Sequence, residues 1–478
     1  MPWWPCFVSI LAGFLAYYIS QAQSRVKLHA TSNEEKAGQQ AQMGSEDVMF
    51  WSAIFLERLC INSDNEHYLT STQSSLPRDP ATLSCGSDNR HNEVLMSSSG
   101  RQFSQYFVMA DIHGDLEQAI LALSMMGVTD QSGHWTAGPA VLVQLGDLVD
   151  RGNNSLGVLE LFHTLAVEAR AVGGKVVTLL GNHEYMLMQG DFRYVNRDEI
   201  IRLGRKHQEA QGGAVDVSGR QQDEQRAAFA AGLKLWHQLM SSTGRYGSLI
   251  RSRPVAHLLY TEDLLGKPVV EHDHQEGAKH ECSMLLVHAG VTQGLVDAVD
   301  HLHSIASVTS EKLRAAEEQD SLSNKVELHA PLYVAAWNTA VSRGLSNCSI
   351  RACPSPYAQG ASLAAAVLGG EGLIWSRDLS QPTNGQDWAC REVREVLSRI
   401  NKGSGPSRKV SRIVLGHTVQ GRGHVSVRCG GRLILADVGM SGWIKGGGPA
   451  GLSCTLQSGL QLLTESGAES ARLKVEDK

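Results

Sequence analysis

Five short apolar runs, Tyr106–Ala110, Val141–Leu145, Lys175–Leu180, Met284–Val287 and Arg412–Leu415, punctuate the chain, and each stops at a polar loop that contains glycine. Runs of this length, β-branched in several cases, read as strands, while helical periodicity at Leu116–Met126 and Ser155–Ala171 places a helix after each of the first two. The pattern predicts a layered α/β fold whose loops gather at one edge of a sheet. Two stretches interrupt it. Residues 190–250 are charged and helix-favouring, with Arg197–Leu203 and Gln221–Met240 the clearest segments, and 300–365 join a helical stretch to a loop rich in Ser, Pro and Cys. Lying between strand-loop units, both are expected to be insertions that cap the loop edge.

The flanks have a different pattern. Residues 2–19 are uncharged and mostly apolar, and Ser20-Gln21-Ala22 follows with small residues, so 1–22 reads as a signal peptide or, uncleaved, as a membrane anchor. A signal would send the chain to the secretory pathway or an endomembrane lumen; an organelle-targeting segment is the alternative. Residues 23–104 form a polar extension with one short helical pattern at Val48–Leu56, the domain that holds the strand-loop units is expected over 105–463, and 464–478 reads as a disordered tail.

Composition adds limits rather than a function. With 478 residues, of which 42% are hydrophobic, core size is not limiting, and a net charge of −6 argues against a nucleic-acid partner. Removal of 1–22 leaves eight cysteines, Cys60, Cys85, Cys282, Cys348, Cys353, Cys390, Cys429 and Cys454, an even count that permits disulfides in a secreted chain and equally permits buried thiols. Their spacing matches no structural zinc pattern. Asn347-Cys348-Ser349 and Asn153-Asn154-Ser155 are formal glycosylation sequons.

The loops carry the chemistry. In order they are Asp111-Ile112-His113-Gly114, Gly146-Asp147-Leu148-Val149-Asp150-Arg151-Gly152, Gly181-Asn182-His183-Glu184, His288-Ala289-Gly290 and Gly416-His417-Thr418. Any one occurs by chance, but the ordered set supplies the ligands of a two-metal site for phosphate-ester hydrolysis. Asp147 is the natural bridging carboxylate, with Asp111 and His113 completing one metal and Asn182, His288 and His417 the other. Carboxylate, imidazole and amide ligands suit Mn, Fe or Zn. Asp150 and His183 lie one step beyond the ligands and form a carboxylate–imidazole pair suited to protonating a leaving alkoxide. Arg151 offers a planar fork for phosphate oxygens, its alternative being a surface ion pair with Glu184. Arg251 in Arg251-Ser252-Arg253-Pro254 and Arg377 in Trp375-Ser376-Arg377-Asp378 are weighed evenly between phosphate contact and structural ion pairing, and Trp375 reads as a packing residue.

Read together, these motifs resemble the calcineurin-like metallophosphoesterases, and more narrowly the phosphoprotein phosphatases that share GDxxDRG and GNHE. Leu180 before GNHE, Ala289 in place of a glycine, Ile250-Arg251-Ser252-Arg253-Pro254 and Asp437-Val438-Gly439-Met440-Ser441 are similar to the Shewanella-like, bacterial-like branch. The resemblance implies a four-layer α-β-β-α sandwich with helical cap insertions and two divalent metal ions. It also implies hydrolysis of phosphoprotein or phosphopeptide monoesters by a metal-activated hydroxide, without a covalent enzyme intermediate. It carries over Asp111, His113, Asp147, Asn182, His288 and His417 as ligands and Arg151 as the phosphate arginine, with Arg251 a loose counterpart of a second one. Two other readings remain: a dinucleoside polyphosphate or small-molecule phosphoesterase using the same site, and a binding module that keeps the fold without catalysis.

Overall fold

Each of the five expected strands forms just ahead of its motif in the computed structural model of the chain, which describes residues 102–211, 221–265, 281–316, 328–346, 362–405 and 408–469. The expected leader at 1–22 and the helix at Val48–Leu56 lie outside the described residues. No helix among those described is long and apolar enough to cross a membrane. The chain divides into two compact units. One comprises Met1–Ser97, His301–Ser323 and Gly360–Ser362, mostly outside the described residues; the other comprises Ser98–Asp300, Asn324–Gln359 and Leu363–Lys478 and holds both sheets.

Strands β1 (Tyr106–Met109), β2 (Val141–Gln144) and β3 (Lys175–Thr178) run parallel, with Tyr106 opposite Val141 and Val141 opposite Lys175. A second sheet, in the order β4-β5-β6-β8-β7, is built from β4 (Ala256–Leu259), β5 (Met284–Val287), β6 (Arg412–Leu415), β7 (Ser426–Arg428) and β8 (Leu433–Leu435). The chain then returns to the first sheet through β9 (Ala450–Thr455), β10 (Gly459–Thr464) and β11 (Gly467–Glu469), giving the order β11-β10-β9-β1-β2-β3. This closing meander was not anticipated, and it carries the ordered fold to Glu469, so the expected boundary at 463 falls inside a hairpin.

The two sheets share one core. Tyr106, Val108, Val141, Val143 and Leu452 from the first meet Met284, Leu286, Val414 and Ile434 from the second, all buried. The alternate residues Phe107, Met109 and Leu142 are buried as well. That is why the strands read as unbroken apolar runs and not as alternating ones. Helix α1 (Leu116–Met125) follows β1, and α2 (Ser155–Ala171) packs on β3. The architecture is thus mixed α/β, with two sheets and flanking helices. Cys282, just ahead of β5, is disulfide-bonded to Cys454 in β9, tying one sheet to the other.

After α3 (Asn182–Met188) the insertion forms a helical hairpin of α4 (Arg197–Ala210) and α5 (Gln221–Met240). The two helices cross in near backbone contact: a Cβ on Gly204 would lie 1.8 Å from the Ala228 carbonyl oxygen, and one on Gly232 1.9 Å from that of Ile200. The hairpin leans on the second motif loop, because Glu199 accepts from the Leu156 amide at 3.0 Å and Arg202 donates to the Asn153 carbonyl. Next come α6 (Arg245–Arg251) and α7 (Thr261–Leu265), then α8 (Gln293–Ala316), α9 (Ala330–Ser346), α10 (Leu363–Leu368) and α11 (Gln386–Ile400). Helix α9 packs on β4, and Cys390 of α11 is disulfide-bonded to Cys429, beyond β7.

Candidate active site

All five motif loops converge at the C-terminal ends of β1, β2 and β3 in one sheet and of β5 and β6 in the other, so the site spans two sheet edges where one was expected. Its backbone is tightly constrained. Five residues without the freedom of glycine hold positive φ there: His113 at 51°, Asp147 at 56°, Asp150 at 70°, Arg151 at 68° and His417 at 64°. Such conformations persist only when their surroundings fix them, and they concentrate at functional sites. Glycines permit the close approaches. A Cβ on Gly181 would lie 2.2 Å from Asp147 Oδ1, and one on Gly416 2.5 Å from Asp111 Oδ1.

Asp147 is central. Its Oδ2 lies 3.8 Å from His113 Nε2 and 3.4 Å from His288 Nε2, while its Oδ1 accepts from the His183 amide at 2.9 Å. The His113 Nε2 atom is also 3.8 Å from Asp111 Oδ2, and His288 Nε2 is 3.0 Å from Asn182 Oδ1. Two groups of potential metal donors result among the described residues, His113-Asp147-His183 and Asp147-His288-His417, and Asp147 belongs to both. The His417 amide donates to both oxygens of Asp111, at 3.0 and 3.1 Å.

Bonds on the far side of each ring set its orientation. His288 Nδ1 donates to the Leu145 carbonyl at 2.8 Å, which leaves Nε2 facing Asp147 and Asn182. His417 Nε2 lies 3.1 Å from the Trp375 carbonyl, leaving Nδ1 for the donor group. Such outer partners orient metal-binding imidazoles. Burial holds His113 down to about 4 and takes His417, with the help of His288, well below its ordinary value, which favours the neutral form of both rings.

A family model for calcineurin-like phosphoesterases matches residues 105–347, just over half of the chain. The chain belongs to this family. It is 26% identical over 391 residues, 82% of this chain and 83% of the relative, to "Shewanella-like protein phosphatase 2" of Arabidopsis thaliana. It is 35% identical over 92 residues, 19% of this chain and 25% of the relative, to "Shewanella-like protein phosphatase 1" of Plasmodium berghei. Among solved structures, a cold-active protein tyrosine phosphatase aligns with a TM-score of 0.49 at 18% identity, covering 80% of this chain and 86% of that one.

Calcineurin-like phosphoesterases use divalent metals, and the donor set here fits them. Asp111, Asp147 and Asp437 crowd together in the interior. Burial and then Asp437 raise Asp111 well above the carboxylate range, and Asp437 itself is pushed up to about 6 by burial against a bond from the Gly439 amide. Burial likewise resists charge on Asp147, but His288 and His183 outweigh it and hold that carboxyl well down; in return Asp147 overcomes burial and lifts His288 to about 10. Convergent buried acceptors of this kind call for cations between them.

His183, although it belongs to the first donor group, also faces away from it: its Nδ1 is 2.7 Å from Asp150 Oδ2, with the Asp150 side chain fully buried. Burial opposes charge on His183, yet Asp147 and Asp150 prevail and raise it above its ordinary value. The expected pair therefore exists. Arg151 is exposed next to His113 and His183, with its guanidinium carbon 3.9 Å over the Tyr194 ring. Glu184, its alternative partner, pairs with Arg253 instead, at 3.2 Å and buried. Glu184 also accepts from the amides of Gly181, Asp147 and Leu148 at 2.9, 2.9 and 2.7 Å, joining the second and third motif loops.

The other two arginines part company. Arg251 is buried and donates to the carbonyls of Met240 and Gly247, at 3.4 and 3.1 Å, which makes it a brace between α5 and α6 with no described bond to the ligand cluster. Arg377 is exposed and close enough to His417 to help depress it. Trp375 packs edge-on to His417, centroids 6.4 Å apart, as a packing residue should. Sequence reasoning missed Tyr194 altogether, and it quoted Arg253 and Asp437 only within segments similar to the Shewanella-like branch, with no role for either. Asp437 had a further usable signal, since it follows the apolar run Leu433–Leu435 as the other metal-binding candidates follow theirs.

Proposed function

We propose that the chain is a metal-dependent protein phosphatase that hydrolyses phosphoserine, phosphothreonine or phosphotyrosine monoesters. The observation that carries this reading is one carboxylate, Asp147, shared between two donor groups in a chain that matches a protein phosphatase over most of both lengths. When bound, two divalent ions supply charge neutralisation for the phosphoryl oxygens and acidify a water to act near neutral pH. The mixed oxygen and nitrogen ligands favour Mn, Fe or Zn.

The protein's own groups do the rest. Asp111, His113 and Asp147 would hold one ion, and Asp147, Asn182, His288 and His417 the other. Arg151 would grip the phosphoryl oxygens through its N–H edge, and Arg377, whose charge acts on His417, would add positive charge near that ring. His183, oriented by Asp150, would pass a proton from Nε2 to the departing oxygen, so that the leaving group departs as a neutral alcohol. Two disulfides among the described residues support an oxidising compartment, in keeping with a secretory leader at 1–22.

The test is hydrolysis by the full chain, loaded in turn with Mn, Fe or Zn, of phosphoserine, phosphothreonine and phosphotyrosine peptides, para-nitrophenyl phosphate and a dinucleoside polyphosphate, with Asp147→Asn as control. Turnover of phosphopeptides that vanishes in Asp147→Asn supports the reading. Preference for the nucleotide would transfer the chain to the small-molecule phosphoesterases, and no turnover of any ester would leave a binding module.

A further inference from the structure

Arg151 is held in an unusual way for a residue so exposed. Its amide donates to the Tyr194 carbonyl at 2.8 Å, its own carbonyl accepts from Asn196 Nδ2 at 3.0 Å, and its guanidinium carbon stands 3.9 Å over the centre of the Tyr194 ring. All three contacts come from one turn, residues 191–196, at the entry to the helical insertion. They fix a backbone at φ 68° that an arginine would not otherwise keep. Among the described residues the guanidinium has no ion-pair partner.

The turn is itself anchored. Arg193 bonds back to Asp191 with its Nε at 2.9 Å, the Phe192 ring meets His237 of α5 at 4.5 Å, and Asn196 caps α4 by accepting from the Asp198 amide at 3.0 Å. The Tyr194 ring also lies 5.1 Å from that of His183. One aromatic side chain therefore touches both the arginine and the imidazole assigned to the phosphoryl group. Stacking uses the face of the guanidinium and leaves its N–H edge free, which is the edge that takes two phosphate oxygens at once.

We propose that Tyr194 is a positioning residue for phosphate binding: the 191–196 turn presents Arg151 to the phosphoryl group, and the helical insertion serves to hold that turn. This rests on the reading of Arg151 as the phosphate arginine. No hydrogen bond of the Tyr194 hydroxyl is described, so the ring and not the hydroxyl carries the effect. The backbone bond from Arg151 to the Tyr194 carbonyl survives any side-chain change, which separates stacking from the fold of the turn.

The experiment measures the inhibition constant of inorganic phosphate, with KM and kcat for para-nitrophenyl phosphate, in the full metal-loaded chain and its variants. Tyr194→Leu and Tyr194→Met remove the ring, and each should weaken phosphate inhibition and raise KM by about tenfold, while Tyr194→Phe stays within about twofold of the parent. In an Arg151→Ala background Tyr194→Leu should add nothing. A residue that only stabilised the fold would lower the active fraction, and with it kcat, and leave the inhibition constant unchanged. The inference is overturned if both ring-less variants keep the parent inhibition constant, if Tyr194→Phe loses as much as they do, or if the loss persists without Arg151. If Arg151→Ala itself leaves phosphate inhibition unchanged, the assignment of Arg151 has failed and the inference falls with it, a result distinct from failure at Tyr194 alone.

Discussion

Asp147 and Arg151 sit four residues apart in one loop, both at positive φ, yet they are held by opposite means. Asp147 is buried, its amide taken by Glu184, its carboxylate braced by the His183 amide, and Glu184 in turn neutralised by Arg253. Arg151 is exposed and steadied by one ring and one turn from an insertion. The floor of the site is thus locked by groups that cannot move without exposing or orphaning a charge. Its rim is held by contacts that water can share. Placing ions demands the first kind of support, and receiving esters attached to varied substrates is served by the second.

The largest effect should come from the floor. Asp147→Asn removes the carboxylate common to both donor groups, and kcat/KM should fall by about a thousandfold or more, with metal content per chain dropping in parallel. Elemental analysis together with steady-state kinetics would check both, and near-parental activity with a full metal complement would sink the bridging role.

Next in size is the support beneath it. Arg253→Met leaves Glu184 buried with its three backbone amides but without a countercharge, a change expected to cost about 3–5 kcal/mol of stability. Thermal unfolding of the metal-free chain would register this; an unchanged midpoint would mean that the bolt between the second and third loops is dispensable.

At the rim, Arg151→Ala should leave the unfolding midpoint in place and lower kcat/KM by about a hundredfold, as loss of one charged contact to a transition state does. Arg251→Met should show the reverse pattern: its bonds to the Met240 and Gly247 carbonyls are structural, so about 1–3 kcal/mol of stability goes while phosphate inhibition stays. If Arg251→Met instead weakens phosphate binding, Arg251 belongs to the site after all. Smallest of all is Arg245→Ala, which breaks a surface pair with Glu160 at 2.7 Å and should cost no more than about 1 kcal/mol by the same unfolding measurement.

What was legible in the sequence follows from this same division. Metal-binding candidates lie at strand ends, in short loops with small residues for close approach, so the convergence of Asp111, His113, Asp147, Asn182, His288 and His417 could be read from order and spacing. The Asp150–His183 pair was readable because both lie within those loops. Glu184–Arg253 was not, since nothing local says which distant arginine reaches a buried glutamate. Tyr194 was hidden inside a stretch whose helical pattern announced only an insertion. The pairings Cys282–Cys454 and Cys390–Cys429 were unreadable for the same reason, cysteine count being silent on connectivity. The strands β9 to β11 escaped because Gly, Ser and Gln dilute their apolar pattern.

In the first sheet β1 lies between β2 and β9, with Tyr106 opposite Cys454 and Val108 opposite Leu452. A ribosome delivers β1 more than three hundred residues before its second neighbour. Until β9 emerges, the strand that leads to Asp111 and His113 has a bare edge, and pairings this distant in sequence are slow to form and prone to mispairing on the way. Nascent chains would therefore have to wait, shielded by other means, for Ala450–Thr455 before the loop of Asp111 and His113 acquires its support, and C-terminal truncation ahead of β9 should yield aggregates rather than a smaller enzyme.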